Sequence, residues 1–136
     1  MSARPLDVAQ HEAAHVVVGV ALGLRLHSAS ALPSPKEDLL GHAWFPYGSR
    51  IALSIMYSAG VAWDRLTGAG LSEGDVVLVR EIERSAAGVR ASVRAARALI
   101  TELRGVHAQV TRALLKQDLR HQHIAALARG ERLVDE

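Results

Sequence analysis

A mainly helical domain with one small two-stranded β-hairpin is the fold class this sequence predicts. Three observations lead there. Apolar residues recur at three- and four-residue spacing through most of the 136 residues. Only one interval, 25 to 48, breaks that period and carries the prolines of a loop. Aromatic residues make up 4% against 49% hydrophobic, so the core must be built from Ala, Val, Leu and Ile, which suits closely packed helices.

The first helix is expected from Pro5, a residue suited to a first helical turn, to a stop at Gly23. Asp7 complements its dipole. Leu6, Ala9, Ala13, Val16, Val20 and Leu24 would form its buried stripe. Two short strands follow around the loop Pro33-Ser34-Pro35-Lys36-Glu37-Asp38, the second over Leu40 to Phe45 and ended by Pro46 and Gly48. A second helix spans 49 to 67, with Ile51, Ile55, Ala59 and Ala62 on one face. Gly68-Ala69-Gly70 breaks it. A third opens at Ser72, where Ser72 and Asp75 have capping-box spacing. A long helical pattern then runs from Ala86 to about Leu119 with a break near Gly105, and a short helix from Gln122 to Leu127 is closed by Gly130. The chain reads as a single domain, 1–136.

Within the first helix stands His11-Glu12-Ala13-Ala14-His15, the pattern H-E-x-x-H. Residues four apart share a helix face, so both imidazoles can grip one metal ion. Glu12 lies beside the ion's open side and can act as a general base. A catalytic zinc needs a third protein ligand. With no cysteine in the chain, it must be a histidine or a carboxylate. His27, His42, His121 and His123 are candidates, as are two acids. Asp64 lies on the apolar second helix, where a carboxylate needs a partner. Asp75 follows the glycine-rich break, where simple capping of the third helix is an equally good account.

The order of motifs resembles the peptidase domain of the FtsH-type AAA metalloproteases over most of the chain. His11 to His15 is similar to that family's H-E-A-G-H. Leu40-Gly41-His42-Ala43 resembles its second hairpin strand. Ser58 to Gly68 resembles its G-R-x-A-E-E-L-x-x-G helix, and Gly68 to Asp75 its T-G-A-S-N-D segment. The resemblance implies a zincin-like helical fold and a Zn2+ cofactor. His11, His15 and Asp75 would be the metal ligands, Glu12 the catalytic residue and Asp64 a neighbour behind a ligand. The chain departs from the family at Ala14 and Val16, which are bulkier, and at Gly74, which stands for an asparagine.

The implied activity is that of a zinc endopeptidase acting on unfolded or flexible polypeptides. The strand residues Gly41, His42, Ala43 and Trp44 would pair with an extended substrate. No Walker A pattern occurs, so unfolding would fall to a separate ATPase. The family forms rings, so the resemblance permits a homo-oligomer of unspecified order. The alternative is a catalytically silent zinc-binding adaptor or regulator of the same fold.

Net charge is +2, too small to argue for nucleic acid. Arg90, Arg94, Arg97 and Arg104 recur at helical spacing but read as a solvated face, diluted by Glu81, Glu83 and Glu102. The longest apolar run, Val16 to Leu24, is too short to span a bilayer. The expected setting is therefore cytoplasmic, without membrane attachment.

Overall fold

A computed structural model describes residues 5–32 and 41–128. Six helices and two short strands follow in the order α1 (Pro5–Ala21), β1 (Ser28–Ser30), β2 (His42–Trp44), α2 (Arg50–Thr67), α3 (Glu73–Glu83), α4 (Ala86–Glu102), α5 (Arg104–Leu114) and α6 (His121–Ala128). The Pro-rich connection between the strands and the closing Gly130 lie outside the described residues.

The first helix is the axis of the molecule. It packs against α2 on one side and α5 on another, and both strands touch it. Every residue from Val8 to Gly19 except the half-buried Gln10 is buried. The helical spacing predicts a single buried stripe that begins at Leu6. The structure corrects this: neighbours enclose the helix all round, and Leu6, assigned to the stripe, is 42% exposed. Helix-period arguments assume a surface helix, and a central one needs no polar face.

Small residues let the helices close on one another. Ala14 and Val18 of α1 meet Ala59, Val61 and Ala62 of α2 and Val93, Ala96 and Ile100 of α4 in one cluster. The bulk of Ala14 is accommodated there, with no exposure. A second, larger cluster joins α1 to the strands and α5 through Val16, Phe45, Met56, Val110 and Leu119. Phe45 packs against Gly19, where an added Cβ would meet the tip of the ring at 2.5 Å.

Local chemistry sets the helix ends. The Ser49 hydroxyl accepts from the Ala52 amide and starts α2, and Gly68 ends it in the left-handed region at φ 75°. Of the face expected on α2, Ala59 and Ala62 are buried but Ile51 is 73% exposed. The Ser85 hydroxyl accepts from the Gly88 amide and opens α4. The break expected near Gly105 falls at Leu103, between α4 and α5.

The strands pair antiparallel, Ser28 with Trp44, Ala29 with Ala43 and Ser30 with His42. Both are shorter than the sequence reading expected. The Ala29 amide and carbonyl are used on the other side by Leu119, at 2.8 Å each. The first strand is thus covered on both edges, whereas β2 pairs only with β1 among the described residues.

Candidate metal centre

Helical spacing brings His11 and His15 to one face of α1, and their rings meet edge to face with centroids 4.9 Å apart. Their Nε2 atoms are 3.3 Å apart. From α3, Asp75 reaches across so that its Oδ2 lies 3.0 Å from His11 Nε2 and 3.0 Å from His15 Nε2. Zinc–ligand bonds of about 2.0–2.2 Å at tetrahedral angles separate ligand atoms by roughly 3.3–3.5 Å. The three atoms therefore form a triangle close to one face of a tetrahedral site. Glu12 is near as well, since His11, Glu12 and His15 each offer an atom within 4.8 Å of the others'. Asp75 is the closer partner of both imidazoles.

The capping account of Asp75 fails. Ser72 makes no side-chain cap hydrogen bond, and the Asp75 carboxylate is directed at the histidines. The other candidate ligands are elsewhere: His27 packs on Trp44, His121 accepts from the Leu26 amide, and His123 from the Arg120 amide. His42 lines the cleft without joining the triangle.

The second helix forms the floor. At Gly60 a Cβ would collide with Asp75 Oδ2 and come within 2.7 Å of both His11 Cε1 and His15 Nε2. One turn earlier, the Met56 carbonyl accepts a hydrogen bond from His15 Nδ1 at 2.8 Å. A carbonyl only accepts, so Nδ1 carries the proton, and the Nε2 lone pair of the neutral ring faces the triangle. This is how ligand histidines are held in known metal sites. The sequence reading singled out neither Gly60 nor Met56. A glycine in a helix of otherwise good formers was the available signal, because it costs helix stability and therefore needs a reason.

Asp64 stands behind the other ligand, its Oδ1 3.5 Å from His11 Nδ1. That is too long for a hydrogen bond, and among the described residues His11 Nδ1 and both Asp64 oxygens are buried without partners.

Burial alone would push the His15 imidazole down. The Asp75 carboxylate, by charge and hydrogen bond, outweighs it, and with Glu12 and the Met56 carbonyl it holds His15 up at about 9. Asp75 shows the converse. Burial opposes its ionisation, but the two histidines hold its carboxyl well below the usual range. Burial raises Glu12, against the pull of His15 and His11.

These residues open onto a cleft of about 400 Å³ whose other walls include Val8, Gly41, His42, Ala43, Tyr57, Leu71 and Leu78. Three of the four strand residues expected to meet a substrate are thus at the site. Trp44 is not: it is 53% exposed and its ring packs on His27, 4.3 Å between centroids, farther along the strand than the cleft reaches. Among the described residues no helix is long and apolar enough to cross a membrane. Compared with known protein families the chain matches none, and a comparison with curated proteins likewise finds no match.

Proposed function

We propose that the chain is a zinc-dependent endopeptidase of the FtsH-peptidase type, hydrolysing peptide bonds of unfolded or flexible polypeptides. The observation that carries this reading is the convergence of Asp75 Oδ2 on the Nε2 atoms of His11 and His15, 3.0 Å from each, with Glu12 beside them. His11, His15 and Asp75 would hold Zn2+ and leave one side open to the cleft. Bound there, the ion supplies Lewis acidity, polarising the scissile carbonyl and making water acidic enough to attack near neutral pH.

The chain's own residues do the rest. The Glu12 carboxylate takes the proton of the attacking water and returns it to the departing amine nitrogen. Its burial raises its basicity toward what that double duty needs. Met56 and Gly60 keep His15 in the binding tautomer and leave space for the ligand atoms. Gly41 admits the Glu12 side chain close to β2: a Cβ there would meet Glu12 Cγ at 3.3 Å and Val8 Cγ1 at 2.7 Å. The outer edge of β2, unpaired among the described residues, offers main-chain groups to an extended peptide beside Glu12. Pairing with a strand edge needs an extended peptide, which restricts substrates to flexible chains unless a separate ATPase unfolds them.

Metal content of purified protein, beside His15→Ala and Asp75→Ala, tests the site. One zinc per chain, lost in both variants, is expected. Glu12→Gln should keep the zinc and lose hydrolysis of unfolded casein; retained turnover in that variant would sink the mechanism. Zinc in the wild type with no hydrolysis of any unfolded protein would favour a silent adaptor of the same fold.

A further inference from the structure

We infer that the Tyr57 hydroxyl donates a hydrogen bond to the oxyanion that develops on the scissile carbonyl as water adds, which makes Tyr57 a further catalytic residue of the cleft. The inference rests on the peptidase reading and names a part that reading lacks. Carbonyl addition needs a base on one side of the reacting carbon and a fixed donor where negative charge accumulates. Glu12 supplies the base and lies against β2 at Gly41. Tyr57 enters the cleft from α2, between Met56, which holds His15, and Gly60, which floors the ligand triangle.

Among the described residues that line the cleft, Tyr57 carries the only hydroxyl. No described residue hydrogen-bonds it, so the donor is free for a ligand. Another side-chain donor in the cleft, His42, shares its Nε2 with the Ser28 hydroxyl at 3.3 Å and acts electrostatically on Glu12, which puts it on the base's side. Tyr57 instead senses the Asp75 carboxylate. Burial and that charge both oppose its ionisation, so the phenol keeps its proton at neutral pH. Its ring is fixed by packing against the core around α1, which orients the hydroxyl before substrate arrives.

Tyr57→Phe removes one oxygen and leaves the packed ring, so the fold is retained. The test compares zinc-loaded wild type and Tyr57→Phe for binding of a phosphinic peptide, whose tetrahedral oxyanion mimics the adduct, and for hydrolysis of an unfolded casein peptide. Zinc affinity should be equal in the two proteins. Phosphinate binding should weaken at least tenfold in the variant, and kcat should fall about 100-fold with KM within twofold. Equal phosphinate binding and equal kcat would overturn the role of Tyr57 and leave the peptidase reading standing. A zinc-loaded wild type that neither binds phosphinate nor cleaves casein would overturn both. A loss of zinc in Tyr57→Phe would also overturn the inference, because the residue would then be maintaining the metal site.

Discussion

A methyl group at position 60 would occupy the space in which Asp75 and the two imidazoles meet. Gly60 is helical and buried, so backbone freedom is not the reason for it; close approach is. Gly60→Ala should gain helix propensity, about 1 kcal/mol, and still lose the metal site. Zinc affinity measured against a chromophoric chelator is expected to fall about 100-fold, the upper end of what disturbing the surroundings of a ligand costs. Unchanged affinity would mean that the ligands converge somewhere other than above this glycine. The pH dependence follows from His15. Its metal-free pKa of about 9 is raised above the ordinary 6.5, so the contribution to stability is fully present below 6.5 and lost as pH rises through 9. Metal binding at Nε2 must expel that proton. Zinc affinity should therefore climb about tenfold per pH unit between pH 6.5 and 8.5, and calorimetry in buffers of different ionisation enthalpy should show one proton released. A flat profile would mean that the histidine is already neutral.

The third helix brings Asp75 to the site yet is anchored lightly. Val79 is its one fully buried residue, while Val77 is 53% and Leu78 38% exposed. A further tie is the Arg50 guanidinium, which donates to the Ile82 carbonyl. Val79→Ala should cost about 2 kcal/mol by lost burial and cavity. It should also weaken zinc binding while leaving the α1 ligands in place. Denaturant unfolding and zinc titration of one preparation check both, and full stability with weakened zinc would show that Val79 positions α3 without holding the fold. The same helix shows why the site was only partly legible in the sequence. His11, Glu12 and His15 are read from helical spacing because they lie within one turn of each other. Asp75 is 60 residues beyond His15, and its local sequence suits a helix cap equally well. The residues alone left it one candidate among several, and only the likeness of the segment Gly68 to Asp75 to a known motif singled it out. The Met56 carbonyl and the floor at Gly60 are tertiary facts with almost no local pattern. Trp44 has the strand phase of His42 but lies past the end of the cleft, against His27, and how far a cleft extends along a strand leaves no local pattern.

At the scale of the molecule, two helices provide the ligands and a third shapes the space between them. His11 and His15 come from α1, which lies at the centre of the contacts with α2 and α5, and Asp75 comes from α3, which touches α2 and α4. An ion held by α1 and α3 over the surface of α2 would tie together elements that belong to both core clusters. In its absence two imidazoles and two carboxylates face one another in a buried space, Glu12 with burial raising it and Asp75 held ionised only by the histidines. Metal removal should then act on global stability and not on activity alone. A ligand that binds only the folded chain stabilises it by about 4 kcal/mol at a thousandfold excess over Kd. For a chain of this length that corresponds to a Tm increase of roughly 10 °C or more. Thermal unfolding with zinc and with excess EDTA should differ by that amount in the wild type and in Glu12→Gln. The difference should shrink to within about 2 °C in Asp75→Ala, whose remaining histidines both sit on α1 and join no second element. A zinc-dependent Tm that persists in Asp75→Ala would mean that the stabilising ion is held by α1 and some group other than α3. Equal Tm with and without metal in the wild type would remove the metal from the stability of the fold altogether.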